Sequence, residues 1–479
     1  MNILKKFNLR ENQYQYFEVF VVIILSIIGA IVLNVLLSLS FRWTLYVFGS
    51  PIFLLLLFKI EKPLYQITTV VFALIFIEKT IIRRQYPSDY SFLGIGISVI
   101  VALIILYSFI KNKLTGYGIE NYIKLFLILF LALLISVFIG GFGRRVLMIE
   151  NIRILVQYYL EFILFFYMGY LAFHNASDIK KFIFYMIIFS IMIASYHVIA
   201  LSFGVNIESI RGSVSASRNV AEVWRYGGFF KNVNNLCAFN TMFIPVAILF
   251  LYYNKAKYKK IISAISAMIM FISVLFGGSR AGLGFSVINS MIILFFLKID
   301  LKKVIVVILV LGIFFIVINI FISQFFPDLF GRSYGRMLRK GLDSPRYLLW
   351  THTLQIIIDY PLGLGLSGMN FLRVILRYSN IYLDNPHNIY LHMATQAGII
   401  GLIVFLTIII KTIKIIIRAY REIKDPLSKE VLSYFLVMIS GFLLMGLTEP
   451  VFMNSIKMNH LFAIIIGASN SFSYRLLKK

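Results

Sequence analysis

The chain has 479 residues, enough for two to four soluble domains, but its composition excludes that organisation. Apolar residues make up 60% of the sequence and charged residues 14%, which is typical of a membrane protein. Lys and Arg outnumber Asp and Glu by 46 to 20, and this net charge of +26 must be concentrated in loops because hydrocarbon excludes it. The single cysteine, Cys237, excludes an internal disulfide framework and a cysteine-based zinc site.

Apolar segments of spanning length predict an all-α fold: a polytopic membrane bundle of about twelve to fourteen transmembrane helices. The first segment begins near Phe17 and is too long for a cleaved signal peptide, so we interpret it as a span. Gly49, Ser50 and Pro51 interrupt the second segment, and the tenth is short. The predicted spans are residues 17–39, 43–58, 64–82, 91–110, 122–140, 154–173, 182–203, 236–253, 261–277, 282–297, 304–323, 389–410, 431–449 and 457–473.

Basic residues divide between alternate loops by type. One set of loops carries mostly Lys, as at Lys180, Lys257 and Lys411, which predicts that these loops and both termini are cytoplasmic. The other set carries mostly Arg, whose planar fork binds phosphate and carboxylate bidentately, so we interpret these arginines as a recognition set. The alternative is that they contact lipid phosphates or pair with acidic residues. The outer arginines include Arg42, Arg83, Arg84, Arg144, Arg145, Arg153, Arg211, Arg218, Arg225, Arg280, Arg332, Arg336, Arg339, Arg346, Arg373 and Arg377.

Two outer loops, residues 204–235 and 324–388, are much longer than the others and are therefore expected to be functional. In the second loop, Ser344 and Pro345 predict a helix start, which would place Arg346, Trp350 and Thr353 on one helix face. Arg332, Arg336 and Arg339 also recur at helical spacing. Either segment could instead be an amphipathic helix at the membrane interface. We divide the chain into N-terminal spans (1–203), a catalytic region (204–410) and C-terminal spans (411–479).

Three sequence patches together resemble the O-antigen ligase and O-antigen polymerase superfamily of bacterial envelope enzymes. They are Gly277 to Gly282 with Ser279-Arg280; Arg346 to Trp350 followed by Asp359 to Gly365; and Asn385 to Leu391 followed by Gln396 to Gly401. A looser patch, Arg225 to Asn234, resembles an earlier Arg, Gly, Asn-x-Asn element, although Val233 stands where proline is usual. The resemblance covers roughly residues 205–410.

The resemblance implies transfer of an undecaprenyl-diphosphate-linked oligosaccharide to an acceptor hydroxyl outside the cytoplasmic membrane. Arg280 is our first candidate for stabilising the diphosphate leaving group. Acids at Asp-x-Asp spacing are absent from the outer loops, so we expect no metal site, and we expect no cofactor and no nucleic-acid partner. Expected partners are the lipid-linked oligosaccharide, membrane lipids, a flippase and a chain-length regulator. The predicted substrate-binding residues are Arg211, Arg218, Arg225, Arg332, Arg336, Arg339, Arg346, Trp350 and Asn388.

A general base must accept the acceptor's proton, and histidine titrates in a suitable range. His387 is the best candidate because it precedes a span on the outer side, with His392 one helical turn later as a residue that could orient it. His352 is second. We interpret His197 and His460 as packing residues, and His174 falls in an inner loop. The acids that could tune His387 are Asp359, Asp384, Glu161 and Glu449, and no spacing selects among them.

We therefore predict a polymerase that joins lipid-linked repeat units into capsule, exopolysaccharide or O-antigen chains. A ligase that moves the finished chain to lipid A core is the nearest alternative. A lipid-linked oligosaccharide flippase is the alternative from another functional class, but the sequence lacks the internal repeat that many transporters have.

Overall fold

A computed structural model describes residues 120–142, 145–173, 175–202, 227–228, 230, 232–297, 324, 346–451 and 455–478. Five predicted spans, 17–39, 43–58, 64–82, 91–110 and 304–323, lie outside the described residues. So do six predicted substrate-binding residues: Arg211, Arg218, Arg225, Arg332, Arg336 and Arg339.

The regular secondary structure in the described part of the chain is helical, without strands, which confirms the predicted all-α polytopic membrane fold. The helices are α1 (Glu120–Gly141), α2 (Arg145–Ile154), α3 (Glu161–Ala172), α4 (Ala176–Ser202), α5 (Val233–Tyr253), α6 (Lys257–Phe276), α7 (Arg280–Leu297), α8 (Arg346–Asp359), α9 (Gly368–Tyr378), α10 (Ile389–Glu422), α11 (Pro426–Gly446) and α12 (Ile456–Lys478). A π-helix, Leu155–Leu160, joins α2 to α3.

Seven of the described segments are long and apolar enough to cross a membrane. They are Tyr122–Gly141, Val146–Ala172, Ala176–Ile199, Val233–Tyr253, Lys257–Phe276, Ile389–Glu422 and Pro426–Gly446. Each overlaps a predicted span, but two are longer than expected: one begins at Val146 rather than 154, and α10 continues to Glu422 rather than 410. Helix α7, Arg280–Leu297, has 18 residues and is short for a span, as its predicted length suggested.

Helix α12 corresponds to the last predicted span but is more polar than those seven segments. Its polar side chains are nevertheless buried, because α12 packs inside the bundle. A Cβ atom added at Gly467 would collide with the carbonyl oxygen of Phe166, so α12 and α3 approach backbone to backbone. The Phe462 ring stacks on Phe442 of α11, with ring centroids 3.6 Å apart. The buried polar residues of α12 are Asn459, His460, Ser469, Asn470, Ser471 and Ser473.

The bundle has two chemically different ends. Lys180 forms an ion pair of 2.7 Å with Glu430, near the start of α11, and Glu449 lies in the turn after the end of the same helix. The 19 residues between Glu430 and Glu449 would span about 28 Å as an α-helix, close to the thickness of a bilayer core. We call these the Glu430 end and the Glu449 end.

Part of the long loop 324–388 forms a small helical subdomain. The predicted helix is confirmed as α8, which begins at Arg346 and ends at Asp359. A second helix, α9, was not predicted. Leu349 and Ile356 of α8 pack with Phe371 and Ile375 of α9, and all four side chains are buried.

Candidate functional site

Glu449 is the centre of a polar cluster at its end of the bundle. Its carboxylate accepts a hydrogen bond from Asn234 Nδ2 (2.5 Å) and an ion-paired one from Arg346 Nη2 (2.9 Å). The other carboxylate oxygen lies 3.3 Å from His387 Nδ1. Only 3% of the Glu449 side chain is exposed, and a buried charge requires such partners. The structure therefore selects Glu449, among the four acids considered, as the residue that contacts His387.

The other three acids contact different residues. Glu161 lies 2.7 Å from His460 inside the bundle, Asp359 accepts a hydrogen bond from Tyr378, and Asp384 accepts one from Asn385.

The start of α5 connects this cluster to the Ser279–Arg280 turn. Ser279 Oγ donates to Asn234 Oδ1 at 3.2 Å, so hydrogen bonds link Ser279 through Asn234 to Glu449. The preceding glycines permit this approach, because a Cβ atom at Gly277 would lie 2.7 Å from Val233 Cγ2. The turn that carries Arg280 is thereby brought to the same end of the bundle as His387.

Arg280 is the first residue of α7, and its side chain is exposed. Ser279 caps the helix, since the backbone N–H of Gly282 donates to Ser279 Oγ at 3.2 Å. Arg280 is thus not the capping residue, and its guanidinium projects from a helix start, where the helix dipole also favours anions.

His387 is held by unusual local geometry. It is the one non-glycine residue with positive φ (50°) in the described part of the chain, and its backbone N–H donates to Asn385 Oδ1 at 3.0 Å. Trp350 Nε1 donates to the carbonyl of Pro386 at 2.9 Å, which ties α8 to the residue before His387. A quarter of the His387 side chain remains exposed, so a substrate can reach it.

Asn388 serves the fold directly. Its Oδ1 caps α10 by accepting from the N–H groups of Tyr390 and Leu391, and its Nδ2 donates to Leu447 O at 3.0 Å. The side chain thereby joins the start of α10 to the turn that leads to Glu449. Its substrate-binding role stays a prediction.

The Pro361–Gly365 and Gln396–Gly401 patches are bound to each other. Gly398 has φ of 73° and interrupts α10, which lets the Ile399 N–H donate to Pro361 O at 2.9 Å. Gln396 Nε2 donates to Leu366 O at 2.6 Å. A Cβ atom at Gly398 would lie 2.5 Å from Pro361 O, so glycine is required there. These motif residues position the loop that carries the site.

Helix α2 anchors the same loop from the other side. Asn151 Oδ1 accepts hydrogen bonds from the backbone N–H groups of Leu366 (2.9 Å) and Ser367 (2.7 Å), and Ser367 Oγ donates to Glu150. Asn151 is fully buried. The loop is therefore fixed by side chains from α2 and α10.

None of the other described histidines is seen in contact with Glu449. His392, suggested as the orienting residue, is buried with no hydrogen bond to either ring nitrogen, and Glu449 takes the position beside His387 instead. His197 Nδ1 lies 3.0 Å from Ser273 Oγ, and His460 stacks on Phe165, so both are packing residues as predicted. His352 is half-buried on α8, and His174 is outside the described residues.

Three of the predicted binding residues lie near His387: Arg346 contacts Glu449, Trp350 contacts Pro386, and Asn388 follows His387 in the sequence. No group of three or more His, Cys, Asp or Glu side chains in the described residues is arranged to hold a metal ion. The sequence pointed less clearly to the other two residues of the cluster. Asn234 belonged only to the loosest sequence patch, and Glu449 was one of four acids that could tune His387.

Residues 265–406 match a family model described as O-antigen ligase. The matched segment contains Ser279, Arg280, α8 and His387, whereas Asn234 and Glu449 lie outside it. No curated protein matches the chain.

Proposed function

We propose that the chain, whose residues 265–406 match the O-antigen ligase family model, is a member of the O-antigen ligase and polymerase superfamily that polymerises lipid-linked oligosaccharide repeat units. Members of this family are membrane enzymes of the glycosyltransferase type. The proposed reaction joins undecaprenyl-diphosphate-linked units into a capsular, exopolysaccharide or O-antigen chain. The observation that supports it most is the buried carboxylate of Glu449, which contacts both Arg346 and His387.

His387 is the proposed general base. Nδ1–H donates to Glu449, which leaves Nε2 free to accept the proton of the acceptor hydroxyl. The acceptor oxygen then forms a bond to the anomeric carbon of the donor sugar, and the bond from that carbon to the diphosphate oxygen breaks. Glu449 stabilises the imidazolium that forms, as a buried carboxylate does in other acid–base pairs.

Arg280 and Arg346 are the proposed diphosphate ligands. Negative charge increases on the leaving diphosphate oxygen as the glycosidic bond breaks, and guanidinium groups fixed in advance stabilise that charge. Arg280 projects from the start of α7, next to the hydrogen-bonded path from Ser279 to Glu449. The loop arginines Arg211, Arg218, Arg225, Arg332, Arg336 and Arg339, together with Trp350, complete the proposed substrate-binding set.

Arg346 would also couple substrate binding to catalysis. Its guanidinium now donates to Glu449 Oε1, and a diphosphate would compete for the same donors. Any weakening of the Arg346–Glu449 pair leaves the carboxylate more strongly bound to His387. Binding of the diphosphate would therefore strengthen the contact between Glu449 and His387.

The proposed location is the cytoplasmic membrane, with the Glu449 end facing outward and the lysine-rich Glu430 end facing the cytoplasm. Undecaprenyl-diphosphate oligosaccharide would reach the site from the surrounding lipid after a flippase has translocated it. A chain-length regulator is a further proposed partner.

Surface glycans of a deletion strain, separated on a gel, test the proposal. Loss of the polymerase leaves a single repeat unit on its normal anchor. Long chains stranded on the lipid carrier would identify a ligase, and precursor trapped on the inner leaflet would identify a flippase. Complementation with the wild-type chain, but not with His387→Ala, should restore long chains.

A further inference from the structure

The basic end of helix α10 reaches the edge of a bilayer core. Gly398 interrupts the helix, so its continuous part is Ile399–Glu422, about 24 residues. A bilayer core requires about 20 helical residues, so the last turns of this part lie at the surface of the core. Since His387 precedes the start of α10, these turns lie at the opposite end of the bundle.

One face of α10 is exposed along both an apolar stretch and the basic stretch that follows it. Ile403 and Ile410 are 56% and 50% exposed, and Thr407 between them is also exposed. With the same spacing of three or four residues, the face continues as Lys414, Arg418 and Arg421, all exposed. Residues at this spacing share a helix face, so an apolar stripe leads directly into a basic one.

The basic stripe lines a concave surface. Lys414, Ile417, Arg418, Arg421 and Glu422 surround a depression of about 330 Å³. Arg418 Nε donates to Glu422 at 2.8 Å, although 71% of its side chain remains exposed. Three cations against one carboxylate leave the depression with a net positive charge.

The helix dipole accounts for Arg421, which lies in the last turn of α10, but not for the whole stripe. Cations stabilise a helix C-terminus only within about the last turn, and Lys414 lies eight residues before Glu422. The neighbouring lysines do not line the depression. The amino group of Lys411 lies 5.4 Å from the Tyr122 ring centroid, and that of Lys429 lies 5.7 Å from the Tyr420 ring centroid.

We propose that this face binds an anionic phospholipid of the leaflet at the Glu430 end. The phosphodiester would lie in the depression, bound by Arg421 and Arg418 with Lys414 alongside, and an acyl chain would extend along Thr407, Ile403 and Ile410. Guanidinium groups bind phosphate oxygens bidentately. The exposed apolar stripe begins next to the basic one, so one phospholipid can contact both with its headgroup and an acyl chain. This site is separate from the proposed transferase site and does not depend on it.

Native mass spectrometry of the full chain, released from nanodiscs, tests the proposal. Nanodiscs of phosphatidylcholine with phosphatidylglycerol should yield protein that retains phosphatidylglycerol, and nanodiscs of phosphatidylcholine alone should yield protein without bound lipid. The variant Lys414→Gln/Arg418→Gln/Arg421→Gln should lose this retention by about a hundredfold, since each basic residue near an anionic surface contributes about fivefold. Inorganic phosphate should not displace the lipid, because it lacks the acyl chain.

A matched variant controls for net charge. Lys255→Gln/Lys257→Gln/Lys260→Gln also removes three exposed cations, from the connection between α5 and α6 and the first turn of α6 at the same end of the bundle. It should retain phosphatidylglycerol like the wild type. Equal losses in both triple variants would overturn the proposal, and so would equal retention of phosphatidylcholine. A change in oligomeric mass with lipid retention intact would assign the face to a second copy of the chain instead.

Discussion

Arg346 and Glu449 are 103 residues apart in the sequence, yet Arg346 Nη2 donates to Glu449 Oε1 at 2.9 Å. This ion pair joins the first turn of α8 to the turn after α11, directly beside His387. A third of the Arg346 side chain is exposed, whereas Glu449 is buried, so the arginine can exchange partners while the carboxylate stays in place.

Glu449→Gln should lower the rate of chain elongation by about a hundredfold or more, because the amide cannot stabilise a protonated His387. The protein should still accumulate in the membrane, since glutamine fills the same volume. Elongation on a purified lipid-linked donor measures the rate. Glu120→Gln, an exposed change at the start of α1, is the matched control, and a normal rate in Glu449→Gln would remove the carboxylate from the mechanism.

His387→Asn separates chemistry from backbone conformation. Asparagine tolerates positive φ better than other non-glycine residues, so this variant should fold normally while losing the base. We expect chain formation to be abolished in both His387→Asn and His387→Ala. His352→Ala should remain active, and product of normal length from His387→Asn would contradict the assigned role.

Arg280→Lys should be severely impaired, because a point charge replaces a planar fork that can bind two phosphate oxygens. Arg377→Lys makes the same change on α9, where Arg377 is exposed and donates to Tyr360 OH, and should have little effect. The rates of chain elongation by the two variants, measured at saturating lipid-linked donor, should therefore differ strongly. Wild-type turnover by Arg280→Lys would mean that Arg280 only anchors α7 at the interface.

Gly398→Ala should destabilise the contact between the loop and α10. Gly398 combines φ of 73° with ψ of 179°, which costs a residue with a side chain about 1–3 kcal/mol, and a Cβ atom there would lie 2.5 Å from Pro361 O. Limited proteolysis of the loop should become faster, with a lower thermal midpoint. Gly284→Ala is the control: its Cβ atom would meet nothing within 4 Å, and alanine favours the helix by about 0.5–1 kcal/mol. Equal midpoints for the two variants would argue against a strained break in α10.

Alkaline pH should loosen the contact between α8 and α9. The hydrogen bond from Tyr378 to Asp359 raises the pKa of the phenol to about 12, above the ordinary value of 10. The contribution of this bond to stability is therefore complete below about pH 10 and decreases as the pH rises toward 12. The effect is small because both groups are exposed. Hydrogen exchange in α9 should accelerate over this range, and Tyr378→Phe should abolish the pH dependence; a dependence that persists would implicate another group.

Periodicity and composition predicted much of the fold. Helix α8 was predicted from the Ser344–Pro345 start signal, and the described spans were predicted to within several residues at most ends, because long apolar segments have few alternatives. Helix α9 has only eleven residues and was missed. The one start signal before it is Ser367, which caps the helix in the structure. Helix α10 continues beyond the predicted span because its last turns are basic, and basic segments between spans were interpreted as loops.

The site was predicted less completely, for a physical reason. His387, Arg280 and Arg346 belong to residue types whose chemistry suggests a role wherever they occur. The choice of Glu449 over Asp384 depends on how α11 packs beside α10, which no local pattern contains. Asn234 is similar: its amide contacts both Ser279 and Glu449 only after α5, α7 and α11 have come together.

The π-helix Leu155–Leu160 sets the register between two parts of one span. Before the π-helix, Asn151 accepts hydrogen bonds from the backbone of Leu366 and Ser367. Within it, the carbonyl of Tyr158 accepts a hydrogen bond from Asn459 Nδ2 at 2.6 Å. Directly after it, Glu161 contacts His460. Each residue turns an α-helix by about 100°, so deletion of one residue here would rotate one of these side chains away from its partner. The wider turn of the π-helix thus lets a single segment bind the Leu366–Ser367 backbone on one side and place Glu161 beside His460 on the other.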